Sequence, residues 1–321
     1  MASPLSRKEG CPTSAVRTDD LRSSDMSSAA IPSTPLPVRT PGTRARGRHR
    51  RPERHEIPAE APALLLAVPA EATQATRQIA DELVSLIRAE QSGIDARAAY
   101  LPSTSTEAGT EPGAGTEGDS AEAPTLAALL SAAAAEGRPA PVVVPLLPGP
   151  SDSFRSAVSG IPGEVRVTDT LGPHPLLAEA LHVRLSEAGL ARADRARLFA
   201  VNTSADGIVL ATVGGAESLQ LAEVTAVLLA ARLAVPVVAA ALDEPGSVTA
   251  AAAHLRETGC AQPALAPYLF GPEVDPDLLK SVPAEAECQA SEPLGAYPTV
   301  ARLVLGLYLT ALGIELDPDL V

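Results

Sequence analysis

The sequence predicts two tandem, doubly wound α/β domains, each with a four-stranded, mostly parallel sheet, following a disordered N-terminal tail. Three observations predict this: apolar runs of strand length alternate with helical stretches, the order recurs, and the offsets between the copies agree. Ala63–Val68, Val142–Leu147, Gly207–Val213 and Ala264–Phe270 are almost unbroken apolar runs, the pattern of strands covered on both faces in a parallel sheet. Leu171-Gly-Pro-His-Pro-Leu-Leu-Ala-Glu-Ala-Leu181 recurs as Leu294-Gly-Ala-Tyr-Pro-Thr-Val-Ala-Arg-Leu-Val304. In both copies a Gly-x-x-Pro turn opens an apolar helix, with Pro in the first turn where its missing N–H costs nothing. The prolines of Val143-Val-Pro-Leu-Leu147 and Leu265-Ala-Pro-Tyr-Leu269 lie 122 residues apart, and Gly172 and Gly295 lie 123 apart. Leu66 and Leu210 are 144 apart, and the excess of 22 equals the length of Ser103–Pro124. That stretch, mostly Ser, Thr, Glu, Gly, Ala and Pro, reads as a disordered insertion (103–124) in the first half.

In chain order, residues 1–60 are rich in Ser, Thr, Pro and Arg without apolar periodicity and read as a disordered basic tail. No apolar h-region follows the early charges, so no signal peptide is expected. The first half, 61–190, runs strand Ala63–Val68, helix Thr73–Glu90, strand Ile94–Leu101, helix Thr125–Glu136, strand Val142–Leu147, helix Ser151–Ser159 and strand Val165–Thr170, closed by helix Leu176–Ala188. Within Thr73–Glu90 the spacing of Ile79, Leu83, Leu86 and Ile87 is that of an amphipathic helix. Ala191–Phe199, rich in Ala, Arg and Leu, reads as a linking helix. The second half, 191–315, continues with strand Gly207–Val213, helix Glu217–Leu233, strand Val235–Leu242, helix Ser247–Thr258 and strand Ala264–Phe270. Helix Asp275–Ser281, strand Glu285–Ser291 and helix Pro298–Leu312 complete it. Val224–Leu242 is apolar enough to suggest a membrane span, but Arg232 and Pro236 fall inside it and helix-then-strand fits the repeat.

Composition narrows the function classes. Hydrophobic residues make up 45% of the 321, whereas aromatics are only 2% and Trp is absent, so the cores are built from Ala, Val and Leu. Cys11, Cys260 and Cys288 form no CxxC and no even set, which speaks against a zinc ribbon or a disulfide scaffold and for a reducing, cytoplasmic setting. The net charge is −14. Residues 1–56 hold eleven basic and six acidic side chains, a balance of +5 that leaves −19 for the rest. Such a body repels nucleic acid and anionic membranes, so any nucleic-acid contact is left to the tail and its Arg44–Arg51 run.

In doubly wound sheets, ligands sit beyond the carboxyl ends of the strands, which confines a site to a few loops. Gly214-Gly215, followed by Glu217, either brings backbone N–H groups to an anionic cofactor or makes a tight strand-to-helix turn. His174 either binds a metal or moves a proton, or it packs over the turn as Tyr297 does in the second copy. Glu273, Asp275 and Asp277 either hold a hard cation or cap the following helix. His182 and His254 read as helix-face residues. No Ser-His-Asp set and no nucleophile elbow appear.

With these residues in view, the chain resembles the class II chelatase superfamily. It is most similar to the sirohydrochlorin chelatases of cobalamin and sirohaem biosynthesis in their tandem, two-half form. The resemblance covers about residues 62–312 and rests on Leu64-Leu-Leu-Ala-Val68, Val142-Val-Val-Pro-Leu-Leu147, Leu171-Gly-Pro-His-Pro-Leu-Leu177, Gly259-Cys-Ala-Gln-Pro-Ala-Leu-Ala-Pro-Tyr-Leu269 and Pro293-Leu-Gly295. It implies chelatase-like halves, insertion of cobalt or iron into a tetrapyrrole in a cleft between them, and metal held by histidines. The family's His-Gly-Ser after the first strand stands here as Pro69-Ala70-Glu71, and the loop Pro148–Arg155 holds no histidine either. Glu71 would offer an oxygen ligand in place of imidazole, and a carboxylate alone is a weaker match for cobalt or iron. Three readings follow. One is a degenerate chelatase-like protein binding a tetrapyrrole or another small anion without metal insertion, which the missing histidines favour. The second is an active chelatase (lyase) using Glu71, His174 or Glu273–Asp275. The third is an interaction scaffold with a basic tail.

Overall fold

The computed structural model of the chain describes residues 57–58, 60–101, 123–192, 205–271 and 273–314. The basic tail, nearly all of the 103–124 stretch and most of Ala191–Phe199 lie outside the described residues. All described residues belong to one compact unit.

The elements alternate throughout: β1 (Leu64–Val68), α1 (Gln74–Glu90), β2 (Ala96–Tyr100), α2 (Leu126–Ala135), β3 (Val142–Pro145), α3 (Asp152–Ser159), β4 (Arg166–Val167) and α4 (Pro175–Glu187) in the first half. The second half has β5 (Gly207–Thr212), α5 (Gly215–Leu233), β6 (Val237–Ala241), α6 (Ser247–Glu257), β7 (Pro263–Pro267), α7 (Pro276–Glu285), β8 (Gln289–Ala290) and α8 (Pro298–Ala311). The two sheets have the same strand order, β2-β1-β3-β4 and β6-β5-β7-β8, and every pairing is parallel. The central strands β1, β3, β5 and β7 are buried along their whole length, as their continuous apolar sequences require. No helix among the described residues is long and apolar enough to cross a membrane. In Val224–Leu242 the helix stops at Leu233, Ala234 turns left-handed (φ 57°), and β6 begins at Val237.

The pairing registers refine the duplication. Leu64 pairs with both Ala96 and Val142, and Ile208 with both Val237 and Ala264. The offset is therefore 144 at the first strands, 141 at the second and 122 at the third. The excess between the second and third strands is 19 residues rather than 22. The other three residues lie between β1 and β2, where five residues join β1 to α1 and only two join β5 to α5. Two further elements differ from expectation. Val165–Thr170 narrows to the exposed two-residue strand Arg166–Val167 at the edge of its sheet. Glu285–Ser291 is not a strand throughout, because α7 runs through Pro283 to Glu285 and pairing is confined to Gln289–Ala290. Pro283 sits in the last helical turn and is buried, where packing offsets the hydrogen bond it cannot donate.

The core is layered. The outer face of the first sheet packs on Leu126 and Phe154 from α2 and α3, and that of the second on Val248 and Leu255 from α6, with α7 against it. Between the sheets lies one continuous core built from α1, α4, α5 and α8. Here the halves interlock, for α8 packs along α1 and against β3, and α4 packs along α5. The Tyr308 hydroxyl donates to the carbonyl of Pro62 at 2.6 Å, tying α8 to the start of the first half. Each closing helix therefore joins the other half's helical layer.

Candidate functional site

The carboxyl ends of the strands face one another across two contacts between the halves. In the first, Pro69, Ala70 and Glu71 follow β1, and Thr73 caps α1, its hydroxyl accepting from the Thr76 N–H at 3.2 Å. Thr76 is buried and donates its hydroxyl to the carbonyl of Glu71 at 2.7 Å, which fixes the loop. Opposite lies the loop after β7, where the Glu273 carboxylate accepts from the backbone N–H groups of Phe270 and Gly271, both at 2.7 Å. Pro69, Ala70, Thr76 and Ile79 of the first half and Gly271 and Glu273 of the second line a cavity of about 10 Å³, room for about one water molecule. Gly271 permits the approach, since a Cβ there would stand 3.0 Å from Ile79 Cδ1. Burial pushes the Glu273 carboxyl up to about 7, outweighing the two N–H donors that favour its charged form.

The second contact is the repeat of the first. The loop after β3 meets the start of α5, where the Ser218 hydroxyl donates to the carbonyl of Pro150 at 2.6 Å. Gly214 is left-handed (φ 110°), and a Cβ on it would press to 2.9 Å from that same carbonyl, so only glycine fits. The Gly214 N–H donates to the carboxylate of Asp243 at 3.1 Å. Glu217 pairs with Arg155 at 3.1 Å, and Arg155 also reaches Asp152 at 2.6 Å. The Gly214-Gly215-Glu217 turn is thus engaged by the protein's own residues.

The repeated Gly-x-x-Pro motifs also face the opposite half. His174 caps α4, its Nδ1 accepting from the Leu176 N–H at 3.1 Å, which assigns the ring proton to Nε2 when neutral. Burial lowers its pKa. In the other copy the hydroxyl of Tyr297 hydrogen-bonds Glu187 of α4, and the Arg184 guanidinium lies 4.7 Å from the Tyr297 ring centroid. Burial, then the bond to Glu187, pushes Tyr297 up to about 12. Gly172 packs against β7's continuation, where a Cβ would fall 2.2 Å from the buried Tyr268 hydroxyl and 2.4 Å from the carbonyl of Pro148. Gly172→Ala is therefore expected to destabilise the fold by about 2 kcal/mol through overpacking, read as a shift in urea midpoint. Gly160→Ala, at a negative φ (−77°) and with the nearest neighbouring atom 3.5 Å from its Cβ, is its control, and equal shifts in the two would refute the packing account.

Of the sequence candidates, the structure brings together Glu273 and the Pro69–Glu71 loop. His174 and Asp275 each act as a helix cap, Asp275 accepting from the Asp277 N–H at 2.9 Å, and the Glu71 side chain is exposed. His182 is buried; its Nε2 meets the carbonyl of Arg192 at 2.6 Å and its Nδ1 accepts from Arg232 at 2.9 Å. Among the described residues no group of three His, Cys, Asp or Glu is placed to hold a metal ion. The donor set at the strand ends agrees, because proline offers no ligand and the Glu273 oxygens already accept two hydrogen bonds. Sequence reasoning missed Thr76, Asp243, Arg184 and Tyr268. Only Tyr268 carried a signal, an aromatic hydroxyl in a chain almost without aromatics.

The sequence matches no protein-family model and no curated protein. Solved structures do match. The cobalt complex of the sirohydrochlorin chelatase SirB from Bacillus subtilis subspecies spizizenii is 14% identical with a TM-score of 0.52, covering 81% of this chain and 97% of that one. SirB from Bacillus subtilis with Fe3+ is 16% identical with a TM-score of 0.53, covering 78% and 95%. At this identity the likeness is one of fold, and the fold is chelatase-like.

Proposed function

We propose that this chain is a chelatase-fold protein that binds an anionic small molecule, a tetrapyrrole among the candidates, without inserting metal. The carrying observation is the contact at the strand ends, where Pro69, Ala70 and Glu273 enclose space for about one water. Metal insertion needs donors that bind and release a divalent ion and a base for the pyrrole protons, both reaching one open cleft. The residues here supply one carboxyl group and no imidazole. Anion binding is supported by the likeness to chelatases. With sirohydrochlorin and cobalt, the purified chain is expected to give no insertion above the uncatalysed rate while shifting the absorbance of the metal-free tetrapyrrole. Turnover would overturn the first part, and an unchanged spectrum at micromolar protein would overturn the tetrapyrrole as ligand.

A second reading is favoured by Glu273 alone. A carboxyl with a pKa of about 7 is suited to accept protons near neutral pH. It requires turnover that Glu273→Gln abolishes, an outcome distinct from both of the others.

A further inference from the structure

We propose that the open edge of β2 and the arginine-bearing face of α1 form a docking groove for an extended acidic peptide. This groove lies outside the contacts at the strand ends, so the proposal holds whether or not the protein inserts metal. Arg77, Asp81, Ser85 and Arg88 follow helical spacing on α1 and line a groove of about 590 Å³ together with Arg97 and Tyr100 of β2. Arg77 and Arg88 share the groove with one acid, Asp81, the third cation, Arg97, being paired with Asp95, in a body whose balance outside the tail is −19.

Two of these cations are positioned without being neutralised. Arg77 donates Nε to the carbonyl of Ala72 at 3.0 Å, and Arg88 donates an Nη to the carbonyl of Ala96 at 2.6 Å. Each keeps further N–H donors and its full charge. Arg97 is held by a two-point pair with Asp95 at 2.8 and 2.9 Å. Eleven residues of helix put Arg77 and Arg88 about 16 Å apart, the reach of about five residues of extended chain.

The duplicated half shows that the scaffold does not require these charges. The buried positions Thr76, Ala80, Leu83, Val84 and Ile87 of α1 match Ser218, Ala222, Thr225, Ala226 and Leu229 of α5, a constant offset of 142. Arg77 and Arg88 then correspond to Leu219 and Ala230, and Arg97, by strand pairing, to Val238. The same helix-on-edge-strand unit is built in the second half with no cation at any of the three positions.

Strand geometry says how a peptide would lie. Leu64 N–H bonds the carbonyl of Asp95 and Leu101 N–H that of Val68, so in the alternating parallel ladder Ala96, Ala98 and Tyr100 turn their backbone groups outward. The outer edge already accepts one addition, because the Tyr100 N–H donates to the carbonyl of Pro124 at 3.2 Å and Thr125 bridges it in parallel. Ala123 and Pro124 close that end of the groove. Ala98, half-buried, turns its N–H and carbonyl to an edge that no strand among the described residues pairs, while the arginines receive carboxylates along its length. Edge pairing supplies affinity and the arginines supply the preference for acidic sequences.

The test uses the full chain and a labelled, acetylated peptide of alternating Glu and Val, followed by fluorescence anisotropy. Saturable binding that weakens with salt is expected, reduced about tenfold or more in Arg77→Gln/Arg88→Gln. Arg166→Gln, on the opposite edge of the same sheet, is expected to leave it unchanged. A peptide N-methylated at alternate backbone positions is expected to lose binding without any change to the protein. Three results would each overturn the proposal: no binding at about 100 µM peptide, equal binding to the double variant, or equal binding of the methylated peptide. The first includes the case in which the chain's own acidic residues 102–122 hold the groove.

Discussion

A chain ended after Tyr297, which lacks α8, is expected to lose the fold of its first half, more than 200 residues away in sequence. Helix α8 buries Val300, Ala301, Leu303, Val304, Tyr308 and Leu309, and it does so along α1 and against β3. At about 1.5–3 kcal/mol for each large side chain, the loss is on the order of 10 kcal/mol, the size of a whole domain's stability. Two cross-half anchors go with it, the Tyr308 hydroxyl on Pro62 and the Arg302–Glu90 pair at 3.1 Å. The exposed pair adds little; the buried stripe decides the outcome. Hydrogen exchange over Leu64–Val68 and α1 reads the effect directly. Protection retained there in the truncated chain would show that the first sheet stands without α8. Tyr308→Ala, which keeps the rest of the helix, is expected to give a smaller loss in the same peptides.

This crossing of helices is the part of the fold that the sequence did not disclose. The order of elements was legible because a parallel strand covered on both faces must be apolar at every position, as Leu64-Leu-Leu-Ala-Val68 and Val142-Val-Val-Pro145 are. Helix periodicity marks a buried face but not the surface that buries it. The expectation that Leu176–Ala188 closes its own half therefore missed the packing of α4 along α5. The same limit explains Glu285–Ser291. The expected helix Asp275–Ser281 stopped short of Pro283, yet a proline in the final turn forfeits little, and the strand that follows is two exposed residues.

The candidate site was legible in the same partial way. Repeated loops at strand ends located it, and Pro69 showed which ligand was absent. Charge partners contributed by distant segments left no local trace: Asp243 reaches Gly214 across 29 residues, and Arg155 of α3 reaches Glu217 across 62. Reading Gly214-Gly215 as an anion cradle or as a turn could not be decided without them. Glu273 was singled out beside Asp275 and Asp277 as one of three acids in a loop. The structure separates them, since Asp275 caps α7 and Asp277 is exposed, while Glu273 alone turns into the contact between the halves.

That placement makes Glu273 the source of a specific pH dependence. Its folded-state pKa is raised from 4.5 to about 7, chiefly by burial, so the folded protein holds this proton more tightly than the unfolded chain. The resulting stabilisation is fully present below about pH 4.5 and is lost as pH rises through 7, by up to about 3 kcal/mol for a shift of this size. Other carboxylates titrate over the same interval, and the informative quantity is the difference between wild type and Glu273→Gln. Glutamine keeps a carbonyl oxygen to accept from Phe270 or Gly271 and has no proton to lose. Urea midpoints at pH 4.5, 6 and 8 are expected to move in the variant's favour as pH rises, with comparable changes over the two intervals and little further change above pH 8. Parallel curves for the two proteins would mean that the carboxylate is stabilised by its two N–H donors as fully in the folded state as it is by water in the unfolded one. The contact between the halves would then carry no proton of its own, and the proton-accepting reading of Glu273 would fall with it.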